Sequence, residues 1–223
     1  MPPGVSIRLE NVAKSFDGGL VKALRGVSLT VAAGESVAIM GPTGCGKSTL
    51  LSMVGLLDEP DSGAVLLDGR PAADFEPAED FRATRVGFVF QFHHLLPHLS
   101  VVENVELPLA GRAGRAEARA RATEALALVG LEHRARTLAA RVSGGERQLA
   151  ALARALVGTP DLILADEPTG SVDSETGARI LALLEGWNAR TSGTLLVVSH
   201  DPAVAARCRR LVKMRDGAVV DDA

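Results

Sequence analysis

Tyrosine is missing from this chain, tryptophan occurs once and phenylalanine six times, so an aromatic stacking platform is confined to very few positions. There are two cysteines, Cys45 and Cys208. Two thiols do not form the closely spaced framework of a small disulfide-stapled domain, and a reducing compartment is expected. His93, His94 and His98 cluster, but no Cys or carboxylate set stands near them at ligand spacing, so they read as a surface loop. No apolar run approaches the roughly 18 residues of a transmembrane helix. Met1-Pro2-Pro3-Gly4 leads into strand-like sequence with no signal peptide in view. If the chain serves a membrane process, the spanning part is expected on another polypeptide.

Charge of one sign is not in excess. The formal net charge is −3, which gives no global pull toward nucleic acid or anionic lipid. Arg207, Arg209, Arg210, Lys213 and Arg215 near the C-terminus, and Arg115 and Arg119 within 112–121, read as solvated faces. Lysine is scarce, with Lys14, Lys22, Lys47 and Lys213 only. At 223 residues the chain is long enough to bury a sizeable core as one domain with an inserted subdomain.

One of those lysines has a telling context. Gly41-Pro42-Thr43-Gly44-Cys45-Gly46-Lys47-Ser48 reads G-x-x-x-x-G-K-[ST], a phosphate-binding loop. The apolar run Ser36–Met40 before it reads as a buried strand, and Thr49–Leu57 after it has helical character. The glycines let the backbone curl so that successive N–H groups face one anion. The helix N-terminus adds partial positive charge. Lys47 can reach the outer phosphates of a nucleotide, and the Ser48 hydroxyl can ligate Mg²⁺.

Leu162-Ile163-Leu164-Ala165-Asp166-Glu167 is an apolar run ending in paired carboxylates, as a buried parallel strand leading to a ligand site would be. Asp166 is expected in the Mg²⁺ shell. Glu167 is expected to orient the attacking water more than to remove its proton, because a free carboxylate is a weak base at neutral pH. Val142-Ser143-Gly144-Gly145-Glu146-Arg147-Gln148 precedes an Ala/Leu-rich helix. Ser143 with Glu146 has the spacing of a capping box. Ser143, Gly144 and Gly145 at a helix start are also a second, lysine-free anion site, which points to a nucleotide shared between subunits.

Elsewhere, 5–10 and 27–31 alternate as half-buried antiparallel strands, 63–68 runs into the turn Asp68-Gly69, and 86–90 is a strand. Residues 101–156 hold three or four helical segments, 174–190 is a helix, 194–199 a strand, and 211–220 a closing hairpin around Asp216-Gly217. Trp187, Met40 and Met53 read as core. Strands alternating with helices give an α/β fold with a mostly parallel sheet. The expected organisation is one domain over 1–223, with 1–91 and 157–223 as the nucleotide-binding core and 92–156 as a helical subdomain.

These motifs, in this order, resemble an ABC-type ATPase subunit over nearly the whole chain. The resemblance implies a P-loop NTPase core with an N-terminal antiparallel β element and an inserted helical subdomain. It matches Gly41–Ser48 to the Walker A motif, Leu162–Glu167 to Walker B and Val142–Gln148 to the family signature. Gln91 matches the Q-loop glutamine and a further Mg²⁺ contact, Ser171-Val172-Asp173 the D-loop, and His200 the switch histidine. Phe16 stands where the family stacks an aromatic on adenine, and Thr49 closes the phosphate-binding set. Val142, Leu149, Val172 and Phe16 depart from the family's commoner residues without removing a phosphate-contacting group.

The resemblance implies hydrolysis of ATP with Mg²⁺ in a head-to-tail homodimer. Glu167, His200, Gln91 and Lys47 are the implied catalytic residues. It also implies a separate transmembrane permease subunit, no nucleic-acid partner, and a cytoplasmic, peripheral location on the inner face of the cell membrane. Ala165–Gly170, Ser143–Gln148 and 96–109 look like the branch holding lipoprotein-releasing, macrolide-exporting and division-associated ATPases. Export or lipoprotein extraction and mechanical regulation of cell-wall enzymes in division both remain open at this point. A chromosome-organising ATPase head is disfavoured, because 115–156 is too short and Gly-interrupted for a long coiled coil. Phe92–Leu99 is rich in Phe and Leu for a connecting loop. It is expected either to dock a short helix of the membrane partner or to pack Leu95, Leu96 and Leu99 into the helical segment.

Overall fold

The computed structural model describes residues 4–223, so the reading of Met1-Pro2-Pro3 lies outside the described residues. In chain order the strands are β1 (Ile7–Phe16), β2 (Val21–Val31), β3 (Ser36–Met40), β4 (Ser62–Leu67), β5 (Arg70–Pro71), β6 (Val86–Val89), β7 (Leu162–Asp166), β8 (Thr194–Ser199), β9 (Arg210–Arg215) and β10 (Ala218–Asp222). The helices are α1 (Lys47–Val54), α2 (Ala78–Arg85), α3 (Val101–Glu106), α4 (Arg115–Leu128), α5 (Gly144–Leu156), α6 (Ser174–Thr191) and α7 (Pro202–Ala205).

The central sheet has the order β10-β9-β3-β8-β7-β6, parallel except for β10. Its inner strands are apolar on both faces because layers cover both. Successive side chains on a strand point oppositely. Thus Leu162, Leu164, Leu196 and Val198 join a core with α1 and the antiparallel sheet. Ile163, Ala165, Leu195 and Val197 join a second core with α4, α5 and α6. That explains the unbroken apolar runs in the sequence. Truncating Leu164, 1 % exposed, to Ala should cost about 2–5 kcal/mol.

The second sheet, β2-β1-β4-β5, is antiparallel. The first two strands run longer than 5–10 and 27–31. Register shifts between Leu9 and Val12, Val12 and Ala13, and Lys14 and Ser15 interrupt the alternation that sequence periodicity relies on. Helix α2 was not legible either, because its charged sequence buries only Phe81.

Between β6 and β7 the chain forms α3, α4 and α5. Helix α3 starts at a capping box of Ser100 and Glu103. Helix α5 starts at another, in which the Glu146 amide donates to Ser143 Oγ (3.1 Å) and the Ser143 amide donates to Glu146 Oε2 (2.8 Å). The alanines of α5 let it bury Ala150, Ala151, Leu152 and Ala153 completely. Trp187 and Met53 are buried, as expected of core, whereas Met40 is only half-buried because it ends β3 where the strand runs into the loop.

The closing hairpin turns at Asp216 (φ 49°) and Gly217 (φ 81°), the paired positive φ of a tight primed turn. The C-terminal basic cluster is not uniformly solvated. Arg210 turns inward and donates to Glu35 Oε1 (3.1 Å), to both Asp222 oxygens (2.5 Å each) and to the Thr30 carbonyl (2.9 Å). This fork holds Asp222 below the ordinary carboxylate range. No described helix is long and apolar enough to cross a membrane.

Candidate active site

The loop between β3 and α1 closes on itself. Gly46 takes φ 100°, and a Cβ there would lie 2.2 Å from the Ala23 carbonyl oxygen, so only glycine fits. Gly44 takes φ 80° with open space where a Cβ would stand. No side chain caps α1, so its first-turn N–H groups remain available to an anion. Lys47 is 7 % exposed, and its Nζ donates to the carbonyls of Gly41 (2.8 Å) and Pro42 (3.0 Å). The ammonium is thus aimed along the inside of the loop. Gly41 and Cys45 form the loop's packed back: a Cβ on Gly41 would meet Cys45 Sγ at 2.7 Å.

Parallel register supplies the other half. Asp166 pairs with Val198, so Glu167 emerges beside Ser199 and His200. The Glu167 amide donates to the Val198 carbonyl (2.9 Å). Its φ of 45° is left-handed, a strained position for a non-glycine residue, and fixes the direction of its side chain. Ser199 Oγ donates to Glu167 Oε2 (3.0 Å), and His200 Nδ1 lies 2.7 Å from Oε1. Both carboxylate oxygens are therefore held.

Phe16, Thr43, Gly44, Gly46, Lys47, Ser48, Thr49, Gln91, Asp166, Glu167 and His200 line one groove of about 440 Å³. Phe16, 40 % exposed, stands at its rim with Lys14 Nζ 5.5 Å from its ring centre. Ser143, Gly144 and Gly145 do not line it. At the start of α5 Ser143 is exposed and Gly144 and Gly145 are half-buried, and the nearest group to a Cβ on Gly144 would be the Ser171 carbonyl at 3.9 Å.

Burial pushes the Asp166 carboxyl above its ordinary range; the Ser48 hydroxyl and Lys47 oppose that rise, and Glu167 adds to it. A hydroxyl beside a half-buried carboxylate short of positive charge is a hard-oxygen donor set that fits Mg²⁺. No group of three His, Cys, Asp or Glu among the described residues could hold a metal alone, so phosphate oxygens would complete the shell.

Sequence reasoning missed Ser199 and Gln148. Ser199 stands next to His200 at a strand end, which was the available signal. Gln148 is wholly buried, and its Nε2 donates to the carbonyls of Phe90 (3.2 Å) and Pro168 (2.8 Å). In the loop after Gln91, Phe92 is 75 % and Leu96 41 % exposed, whereas Leu95 packs against the α3–α5 core. His93 also turns inward rather than lying on the surface, and burial lowers its pKa.

Comparison with known proteins gives this geometry a family. The model of the ABC transporter family matches residues 24–170. The lipoprotein-releasing system ATP-binding protein LolD of Bordetella pertussis is 46 % identical over 98 % of this chain and 97 % of its own. The macrolide export ATP-binding/permease protein MacB of Rhodopseudomonas palustris is 44 % identical over 98 % of this chain but only 34 % of its own. Among solved structures, a dimeric post-hydrolysis state of the ATP-binding cassette MJ0796 bound to ADP and Pi superposes with TM-score 0.91 at 40 % identity, covering 97 % of each chain. End-to-end similarity of this kind makes the chain a member of the ABC transporter family, an ATP-hydrolysing subunit of the lipoprotein-releasing and macrolide-exporter branch.

Proposed function

We propose that this subunit powers a membrane complex that extracts lipoproteins, through closure of a homodimer around shared ATP. The observation that carries the proposal is the separation within one chain. Lys47, Ser48, Asp166, Glu167 and His200 share a groove, while Ser143, Gly144 and Gly145 lie outside it. The signature segment then completes the groove of a second copy, as the dimeric cassettes similar to this chain support.

In that arrangement the loop amides of 41–49 and Lys47 bind the phosphates, and Phe16 supports the base. Ser48, Asp166 and Gln91 would hold Mg²⁺, which would neutralise charge on the phosphate oxygens. Glu167 orients the attacking water, kept in direction by Ser199 and His200. Ser143 donates to the terminal phosphate from across the interface.

The permease docks at a cleft lined in part by Phe90 and His94, which flank Gln91 in the chain. This cleft of about 410 Å³ is lined by Leu57, Phe88, Phe90, His94, Pro108 and Arg154. Exposed Phe92 and Leu96 stand nearby and suit a short apolar helix. Such docking puts the subunit at the inner face of the membrane. The lipoprotein reading is supported by relatives named for lipoprotein release that match this chain over nearly their full length.

The test is to purify the complex from its own membrane, identify the permease, and follow acylated protein in vesicles. ATP-dependent release of acylated protein, abolished by Glu167→Gln, is expected. A complex that hydrolyses ATP while releasing nothing would favour a mechanical, non-transporting role.

A further inference from the structure

Gln148 is the only residue of the signature segment whose side chain is wholly buried among polar neighbours it must satisfy. Both oxygens it faces are backbone carbonyls, so its amide must present the NH₂ group to them. Nε2 lies 3.2 Å from the Phe90 oxygen and 2.8 Å from the Pro168 oxygen. Phe90 is the neighbour of Gln91, and Pro168 is the neighbour of Glu167. The same amide's Oε1 is buried with no partner. An apolar side chain of similar size would avoid that orphaned carbonyl, so packing alone does not call for glutamine.

The rest of α5 holds the same loop. Arg154 donates to the carbonyls of His93 and His94 (2.6 Å each). Ser171 Oγ, from the segment beside Gly144, donates to the Gln91 carbonyl (3.1 Å). The Phe90–His94 loop is thus tied to α5 at both ends. A movement of α5 driven from Ser143 carries the loop with it, and through Gln148 it also reaches the turn bearing Glu167.

We propose that Gln148 is a positioning residue that couples engagement of the partner's nucleotide by Ser143 to the placement of Gln91 and Glu167 in the subunit's own groove. This rests on the shared-site reading above. It makes each subunit's chemistry depend on the nucleotide in the other, so hydrolysis is cooperative because of this side chain.

The test compares the full chain with Gln148→Met and Gln148→Glu, measuring nucleotide affinity, turnover, the Hill coefficient for ATP and the melting midpoint. Gln148→Met keeps the volume and loses both donors. ATP affinity should stay within about twofold while turnover falls about ten- to a hundredfold. The Hill coefficient should drop toward about 1. Gln148→Glu should be worse at high pH, where a carboxylate faces two carbonyls. It should recover relative to the parent as pH falls and the protonated acid regains one donor. A parent that turns over as a monomer overturns the shared-site reading and this proposal with it. Variants matching a cooperative parent overturn the role of Gln148 alone. So does a variant with a collapsed melting midpoint whose folded fraction still turns over cooperatively, because that is a packing role.

Discussion

His200 Nδ1 lies 2.7 Å from Glu167 Oε1, while Ser199 Oγ lies 3.0 Å from Oε2 of the same carboxylate. A carboxylate gripped at both oxygens is directed more than it is activated. Glu167→Gln should therefore bind ATP about as well as the parent while turnover falls about 10²–10⁴-fold. His200→Ala should lose less, because Ser199 still holds the side chain. Single-turnover hydrolysis with bound ATP reads both. Parent-like turnover in Glu167→Gln would remove Glu167 from the chemistry.

Lys47 is nearly buried and surrounded by loop carbonyls, so its charge is directed to one place. Lys47→Ala should weaken ATP binding at least about a hundredfold, the scale of a lost charge-assisted hydrogen bond. Equilibrium binding of a fluorescent ATP analogue measures it. Affinity retained within about twofold would contradict the assignment.

The raised Asp166 carboxyl gives a prediction about stability. A carboxyl whose pKa is higher folded than unfolded favours the fold when protonated. Its contribution is present below the unfolded value and is lost as pH rises through the folded one. At neutral pH the ionised group is therefore a liability in the nucleotide-free protein. Asp166→Asn should raise the melting temperature without nucleotide, by about 2–4 °C for each kcal/mol relieved. The same change should abolish Mg²⁺-dependent stabilisation by ATP. Calorimetry with and without Mg²⁺-ATP checks both signs, and a lower melting temperature without nucleotide would refute the account of Asp166.

Phe92 and Leu96 are exposed beside the cleft, whereas Leu95 is half-buried and packs against the core. Phe92→Glu and Leu96→Glu should leave folding and basal ATPase near normal and abolish assembly with the permease. Leu95→Glu should instead destabilise the subunit by about 2–4 kcal/mol. Co-purification and thermal melts separate the classes. Normal assembly of Phe92→Glu and Leu96→Glu would remove this loop from the docking surface.

Much of this was legible before any coordinates, for a physical reason. The loop Gly41–Ser48, the strand Leu162–Asp166 and the cap at Ser143 are contiguous, and each writes its backbone needs into neighbouring residues. Gln148 was not legible, because the carbonyl it binds at Phe90 is 58 residues away in sequence. Arg210 read as solvated for the same reason, since its Glu35 partner is 175 residues away. Bulges hid the true length of β1 and β2, and a polar surface hid α2.

The most direct test of the central claim mixes two dead variants. Ser143→Arg keeps its own phosphate loop but blocks the groove of its partner; Lys47→Ala does the reverse. Each alone should be inactive. Mixed in equal amounts with a non-hydrolysable ATP analogue, they should form heterodimers with one intact groove, seen by size-exclusion chromatography as a nucleotide-dependent dimer that neither variant forms alone, while turnover with ATP stays well below the parent's because the second groove is empty. A mixture that forms no nucleotide-dependent dimer, or Ser143→Arg hydrolysing ATP normally on its own, would contradict the shared site.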